Sequence, residues 1–291
     1  MLFFEMLIKG LSAGSTYAMI ALGYTMVYGI AKMLNFAHGD VIMVGGYTLH
    51  ITSVALGMNP LLSLLAAVIF CAVLGVVVEK LAYKPLRGAS PLAVLITAIG
   101  MSKLLQSLAQ AIFGSDGKPV DLIETGVVSI GSIQVTGYTL ITLGCSAVIM
   151  IALSIYVKYT RTGRAMIAVS EDRNAAQLMG INVNRIITLT FAIGSALAAI
   201  AGFFMTLQAP NAVPTMGAMP GIKAFTAAVI GGIGSIPGAM LGGILLGVVE
   251  NLAQLSPILA NYTDAVEFSI LIVILLVRPS GILGKKRREK V

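Results

Sequence analysis

Residues 158–185 read KYTRTGRAMIAVSEDRNAAQLMGINVNR, the longest polar, charge-rich interval in a chain that is otherwise almost entirely apolar. No membrane span holds Arg161, Arg164, Glu171, Asp172 and Arg173 together, because each charge at the centre of a spanning helix costs roughly 2.5–3.5 kcal/mol. The segment therefore lies outside the bilayer. Its middle reads as a short helix. Ser170 is the expected N-cap, Glu171 and Asp172 sit in the first turn where the helix dipole favours anions, and Gly180 ends it. Ala175, Leu178 and Met179 recur at i, i+3 and i+4, which gives the helix a narrow apolar face beside a charged one. A small amphipathic surface of this kind, held outside the membrane, needs something to dock on it.

Working outward, the chain has 291 residues, of which 57% are hydrophobic and only 11% charged. A soluble domain carries about 25% charged residues, so the composition is that of an integral membrane protein. The first apolar run has no basic region before it and no A-x-A site, which excludes a simple cleaved signal peptide. Cys71 and Cys145, the two cysteines, both sit in apolar runs, so neither a disulfide framework nor a metal site is indicated. A net charge of +7 points to nucleic acid in a soluble protein. Here the basic residues cluster at the ends of apolar runs, and nucleic acid is not expected as a partner.

Apolar runs long enough for a hydrocarbon core of about 30 Å fall at 10–30, 40–57, 60–80, 91–113, 138–158, 186–208 and 262–278. Residues 222–256 are too long for one helix and short for two, and read as a glycine-rich hairpin of two short helices. The expectation is an all-α polytopic membrane protein of about nine spans, residues 1–291 forming one transmembrane domain. Lys80, Lys84 and Arg87 flank one loop. Lys158, Arg161, Arg164, Arg173 and Arg185 belong to the polar segment, and Arg278, Lys285, Lys286, Arg287, Arg288 and Lys290 close the chain. These are 14 of the 19 basic residues. An odd number of spans puts all three groups on one side, which the positive-inside rule makes cytoplasmic. The opposite loops carry Asp116, Asp121 and Glu124 against Lys118, then Asp264 and Glu267. The expected orientation is N-terminus outside and C-terminus inside. The tail KKRREK reads as a positive-inside anchor rather than a dedicated site for lipid headgroups. The loop 114–137 has room for a short strand pair but not for a capture domain.

Two stretches break helix within the apolar regions. In the first, Asn35-Phe36-Ala37-His38-Gly39-Asp40, Asn35 and Gly39 suit a helix end and Asp40 suits the N-cap of the next. The turn reads as tight and near the cytoplasmic interface. His38 is either a proton-relay group or a ring that satisfies freed backbone groups, and the latter weighs more because no chain of acids surrounds it. The second break is Gly231-Gly232-Ile233-Gly234-Ser235-Ile236-Pro237-Gly238. Ser235 caps, Pro237 fits a first turn, and Gly238, Gly242, Gly243 and Gly247 have the small-xxx-small spacing of close helix contacts. The string lacks the Lys-Ser/Thr ending of a phosphate loop and follows no strand, so it is not a nucleotide site. Lys103 and Glu250 are the notable intramembrane charges; a Lys103–Glu250 pair is one possibility and snorkelling the other. Lys32 and Lys223 read as span-end residues.

GSTYAMIALGYTMVYGI (14–30), NFAHGD (35–40), RTGRAMIAVSEDRNAAQLMGI (161–181), KAFTAAVIGGIGSIPGAMLGG (223–243) and RPSGILG (278–284) follow one another along nearly the whole chain. Together they resemble the permease subunit of bacterial branched-chain amino-acid ABC importers, the leucine/isoleucine/valine type. The stretch Asn174 to Gly180 is similar to the ABC-permease coupling motif Glu-Ala-Ala-x-x-x-Gly, with Asn174 where the Glu stands, a departure common in this branch.

The resemblance implies an ABC-importer permease fold and no enzymatic activity in this chain. A second, paralogous permease subunit completes the pathway. Two cytoplasmic ATPases bind ATP and Mg, and a periplasmic binding protein delivers substrate. It assigns ATPase coupling to Glu171, Asp172, Arg173, Ala175, Ala176, Leu178, Met179 and Gly180. The helix breaks supply the expected wall of the pathway: Asn35, Phe36, His38, Gly39 and Asp40, with Gly231, Gly232, Gly234, Ser235 and Gly238. That wall is expected to offer modest polarity rather than a fixed charge.

Two rival readings stand beside this one. A secondary transporter uses broken helices near the midplane too, but with ionisable groups for its coupling ion, and buried acids are scarce in this sequence. A related ABC permease for another amino acid, a sugar or a nucleoside shares the same physics, because selectivity in such importers lies largely with the binding protein.

Overall fold

The computed structural model describes residues 2–123, 125–130 and 133–284. The expectations that rest on Glu124 and on Lys285, Lys286, Arg287, Arg288 and Lys290 lie outside the described residues.

The protein is built around α1 (Leu2–Ala31), a helix of 30 residues whose buried positions run almost without a gap from Gly10 to Ala31. Ser12, Ser15 and Thr16 are buried among them. In a helix sheathed by protein, such small polar side chains return their hydrogen bonds to their own backbone, as Ser15 does to the carbonyl of Leu11 at 2.7 Å. α2 (His38–His50) continues through a π-helical turn, Ile51–Ala55. α3 (Pro60–Val78) starts on Asn59, whose Oδ1 accepts from the Leu62 amide at 2.8 Å, with Pro60 in the first turn. It too runs on into a π-helical turn, Glu79–Tyr83. α4 (Pro91–Phe113) starts on Ser90 and stops at Gly114, where φ is +83°.

The loop that follows forms an antiparallel hairpin of β2 (Val127–Ile130) and β3 (Ile133–Thr136), preceded by a two-residue strand, β1 (Lys118–Pro119). After α5 (Gly137–Tyr159), the polar segment folds as α6 (Arg161–Glu171) and α7 (Arg173–Leu178). α8 (Val183–Gln208) is the second core helix, followed by β4 (Asn211–Ala212), which pairs with β1. The glycine-rich region is a hairpin of α9 (Ala218–Gly231) and α10 (Ile236–Ala253), and α11 (Thr263–Val277) closes the bundle.

Six helical stretches among the described residues are long and apolar enough to cross a membrane: Pro60–Leu86, Pro91–Phe113, Gly137–Tyr159, Val183–Gln208, Ile236–Ala253 and Leu259–Val277. α8 lies mostly inside the protein, whereas α3, α4, α5 and α11 turn most of their apolar surface outward, as a lipid-facing ring does.

Backbone-to-backbone packing holds the centre together. A Cβ at Gly243 would collide with the backbone of Ala18, and one at Gly247 with the backbone of Gly14. α10 therefore lies directly on α1, the close approach that small residues permit between helices that gain nothing from hydrophobicity in lipid.

Candidate functional site

The polar segment is two helices, not one. Asp172 sits in extended backbone between them, and its Oδ1 accepts from the amides of Asn174 at 2.8 Å and Ala175 at 3.0 Å. The N-cap of the second helix is thus Asp172 rather than Ser170. Ser170 stays in the last turn of α6, donating to the carbonyl of Ile167 at 2.7 Å, and Glu171 ends that helix. Gly180 does follow the end of α7, with φ at +82°. Of the α7 residues only Ala176 is buried, while Leu178 is 88% and Met179 82% exposed. Two large apolar side chains are presented together at the tip of a polar segment. Arg173, on the inner side, donates from Nη2 to the carbonyl of Ile30 at 3.0 Å. Partial burial and the neighbouring Arg87 both oppose its charge and lower its pKa from the ordinary arginine value.

The first helix break lies deeper than an interfacial turn. The ring of His38 occupies the space where a Cβ on Gly23 would stand. That is about two turns before α1 ends, so the chain from Lys32 to Ala37 runs back along α1 into the bundle. Lys32 turns the backbone at φ +53°. Asn35 is then held by the Tyr83 hydroxyl, which donates to its Oδ1 at 2.8 Å. The cap of α2 is Ala37, and Asp40 falls within the first turn instead of capping it. His38 packs edge-on against Tyr24 with ring centroids 4.7 Å apart, fully buried.

Around this break a cavity of about 310 Å³ opens between α2, α4 and α9. Phe36, Gly39 and Asp40 line it from the break, and Ser102, Lys103 and Gln106 from the middle of α4. The Gln106 amide donates to Asp40 Oδ1 at 2.7 Å and accepts from Lys103 Nζ at 3.1 Å. Lys103 thus meets Gln106 and not Glu250. Asn35 lines a second, smaller hollow with Tyr28, Phe225 and Ile233.

The glycine break is placed elsewhere. The freed carbonyls of Ile230 and Gly231 accept from the amides of Ile282 and Leu283 at 2.8 and 2.9 Å. Gly232, at φ +104°, faces the backbone of Gly284 and Ser280. The RPSGILG stretch thus covers this non-helical backbone. Ser235 caps α10, accepting from the Gly238 amide at 3.2 Å. Gly231, Gly232, Gly234, Ser235 and Gly238 are not among the residues that line the larger cavity.

Residues 6–275 match the family described as branched-chain amino acid transport system / permease component. The chain belongs to this family. The high-affinity branched-chain amino acid transport system permease protein LivH of Salmonella typhimurium (strain LT2) is 43% identical, over 99% of this chain and 98% of that one. BraD of Pseudomonas aeruginosa, described in the same words, is 44% identical over 99% and 98%. LivH of Escherichia coli (strain K12) is 42% identical over the same shares. The similarity therefore extends over the coupling segment, both helix breaks and the closing RPSGILG stretch together.

Two charged nodes of this permease escape a reading of its sequence. Lys223 is buried, and its ammonium meets Glu250 at 2.6 Å, Asp264 at 2.8 Å and Glu267 at 3.2 Å. Close to the start of α9, it ties that helix to α10 and α11. Glu79, wholly buried, pairs with Arg87 and accepts from the Thr188 hydroxyl at 2.8 Å, joining the end of α3 to α8. The signal in the sequence is that a charge in an apolar helix needs a partner, which holds for Lys223 and Glu79 as it does for Lys103 and Glu250.

Proposed function

We propose that this chain is the membrane-spanning subunit of an ATP-binding-cassette importer for leucine, isoleucine and valine, seated in the bacterial inner membrane. The supporting observation is the exposed Leu178–Met179 tip on α7 in a chain that matches the permease family over nearly its full length. Large apolar side chains clustered on a charged segment mark a protein contact. In this reading the contact is a cytoplasmic ATPase, two of which bind ATP and Mg and drive transport. A paralogous permease forms the other half of the pathway, and a periplasmic binding protein delivers the substrate. The positive-inside rule supports an odd number of spans, taken as nine, with an external N-terminus and a cytoplasmic C-terminus. α1, α2 and α9 then complete the six longer apolar stretches, three less apolar or shorter helices kept inside the bundle.

The wall of the pathway is assigned to the first break and the cavity beside it, where irregular backbone is tolerable because protein or solvent covers it. The glycine break is assigned to packing. Leu178→Asp tests the docking surface. A charge buried without a partner in the interface costs several kcal/mol, so the variant should reach the membrane at normal levels but lose co-purification of the ATPase and leucine uptake. Normal uptake by Leu178→Asp would sink the reading.

A further inference from the structure

The cavity carries charges of both signs, held apart. Asp40 is 2% exposed, and its Oδ2 is buried with no hydrogen-bond partner among the described residues. Its other oxygen is taken by Gln106 at 2.7 Å. Gln106 also receives Lys103, so one amide stands between an anion and a cation that form no direct ion pair. A buried carboxylate oxygen without a donor is costly, and so is an ammonium exposed on an apolar span with Gln106 as its hydrogen-bonded acceptor among the described residues. Both costs are relieved by one ligand that brings N–H donors to Asp40 and oxygens to Lys103.

The geometry points to a clamp for a zwitterionic α-amino acid with an apolar side chain. Its ammonium meets Asp40 Oδ2, and its carboxylate meets Lys103 Nζ. Its side chain lies against Phe36, Leu95, Ile99 and Ile222, the apolar part of the same wall. A volume of about 310 Å³ is at the small end of ligand cavities and admits one such solute. A neutral sugar can hydrogen-bond both groups through its hydroxyls but neutralises neither charge, and a lone amine or acid neutralises one. The expectation of a wall without fixed charge is replaced by a wall with two. This inference rests on the import reading and names the solute's site within it.

The test uses the assembled transporter in proteoliposomes, with its ATPases, its second permease subunit and its binding protein. Asp40→Asn and Lys103→Gln should each lower radiolabelled leucine uptake about tenfold or more, the usual scale for losing a charged hydrogen bond. Both variants should assemble with the ATPases at wild-type levels, and Lys103→Arg should restore most of the uptake. In the complex without binding protein, unlabelled leucine should displace bound radiolabelled leucine, whereas leucinol and 4-methylpentanoate, each lacking one charge, should not. Wild-type uptake by both neutral variants, or equal displacement by the single-charge analogues, overturns the clamp. Should Asp40→Asn fail to assemble, Lys103→Gln and the displacement series decide. A wild-type complex that does not import leucine sinks the functional reading itself; import that survives both variants sinks the clamp alone.

Discussion

Arg173, the first residue of α7, is hydrogen-bonded to Ile30, whose carbonyl oxygen lies one residue from the end of α1, at 3.0 Å. The last carbonyls of a helix have no partner within it, and a cation is the group they favour. The helix that carries the exposed Leu178 and Met179 on one side thereby grips the central helix on the other. Just beyond Ile30 the chain turns at Lys32 and runs back to the cavity at Asp40. The helix with the exposed tip and the helix break thus meet at the same end of α1.

Arg173→Gln should therefore separate docking from transport. The ATPase should still co-purify, because the exposed apolar tip is intact. Leucine uptake should fall about tenfold, on the scale of one charge-assisted hydrogen bond. If uptake and docking fall together, the residue only supports the shape of the segment and the coupling role is wrong.

The glycines of α10 give a packing prediction that is sharper than their spacing alone allows. At Gly242 an added Cβ would meet the Ala227 carbonyl, and at Gly247 the backbone of Gly14. Backbone cannot swing aside as a side chain does, so alanine is already too large. Gly242→Ala and Gly247→Ala should each destabilise by about 1–3 kcal/mol. Gly144→Ala in α5, where nothing lies within 4 Å, should be neutral or stabilising by up to about 1 kcal/mol. Thermal melting in detergent checks all three, and equal effects at Gly144 and Gly247 would refute the close approach.

Lys223 makes a comparable case in electrostatics. It faces Glu250, Asp264 and Glu267, and one oxygen each of Glu250 and Glu267 is buried with no hydrogen-bond partner within bonding geometry among the described residues. Removing the cation leaves these acids facing one another, and breaking a buried pair from one side costs about 3–5 kcal/mol. Lys223→Met should lower the melting temperature strongly. Asp264→Asn should do so far less, because that carboxylate is half exposed and screened. The reverse ranking would mean that the node is solvated and weak.

The six long apolar helices were legible because an apolar run of bilayer length has few alternative meanings, and the caps at Gly180 and Ser235 because a turn's geometry demands those residue types. Ser170 and Asp172 show where local rules stop. Both are good N-caps two residues apart, and the choice between them depends on how far α6 continues. The cavity lay beyond such rules altogether: Gln106 and Asp40 are 66 residues apart in sequence. Lys103 was recognisable as a charge in want of a partner, but its partner was not. Lys223 does lie near the start of its helix, but its acidic partners stand on two other helices, which the sequence does not place beside it.

His38 bears on selectivity. It invites a role in recognising substrate, since it stands in the first break between Phe36 and Asp40, two residues that line the cavity. Its ring, however, is packed between Gly23 and Tyr24 and is not among the lining residues. The groups that face the cavity address the headgroup shared by all α-amino acids, and the apolar wall separates leucine from valine only by a methylene, worth roughly 1–3 kcal/mol. Discrimination among amino acids should therefore be made by the binding protein before the solute arrives. Exchanging the binding protein for one of different preference that still docks should move the substrate range of uptake with it. Asn35→Ala and His38→Ala should lower the rate, through the lost Tyr83 bond and the space left beside Gly23, and leave the order of preference among amino acids unchanged. Competition uptake with leucine, isoleucine, valine and alanine measures that order; a reordering by His38→Ala would place selectivity in this chain and refute the argument.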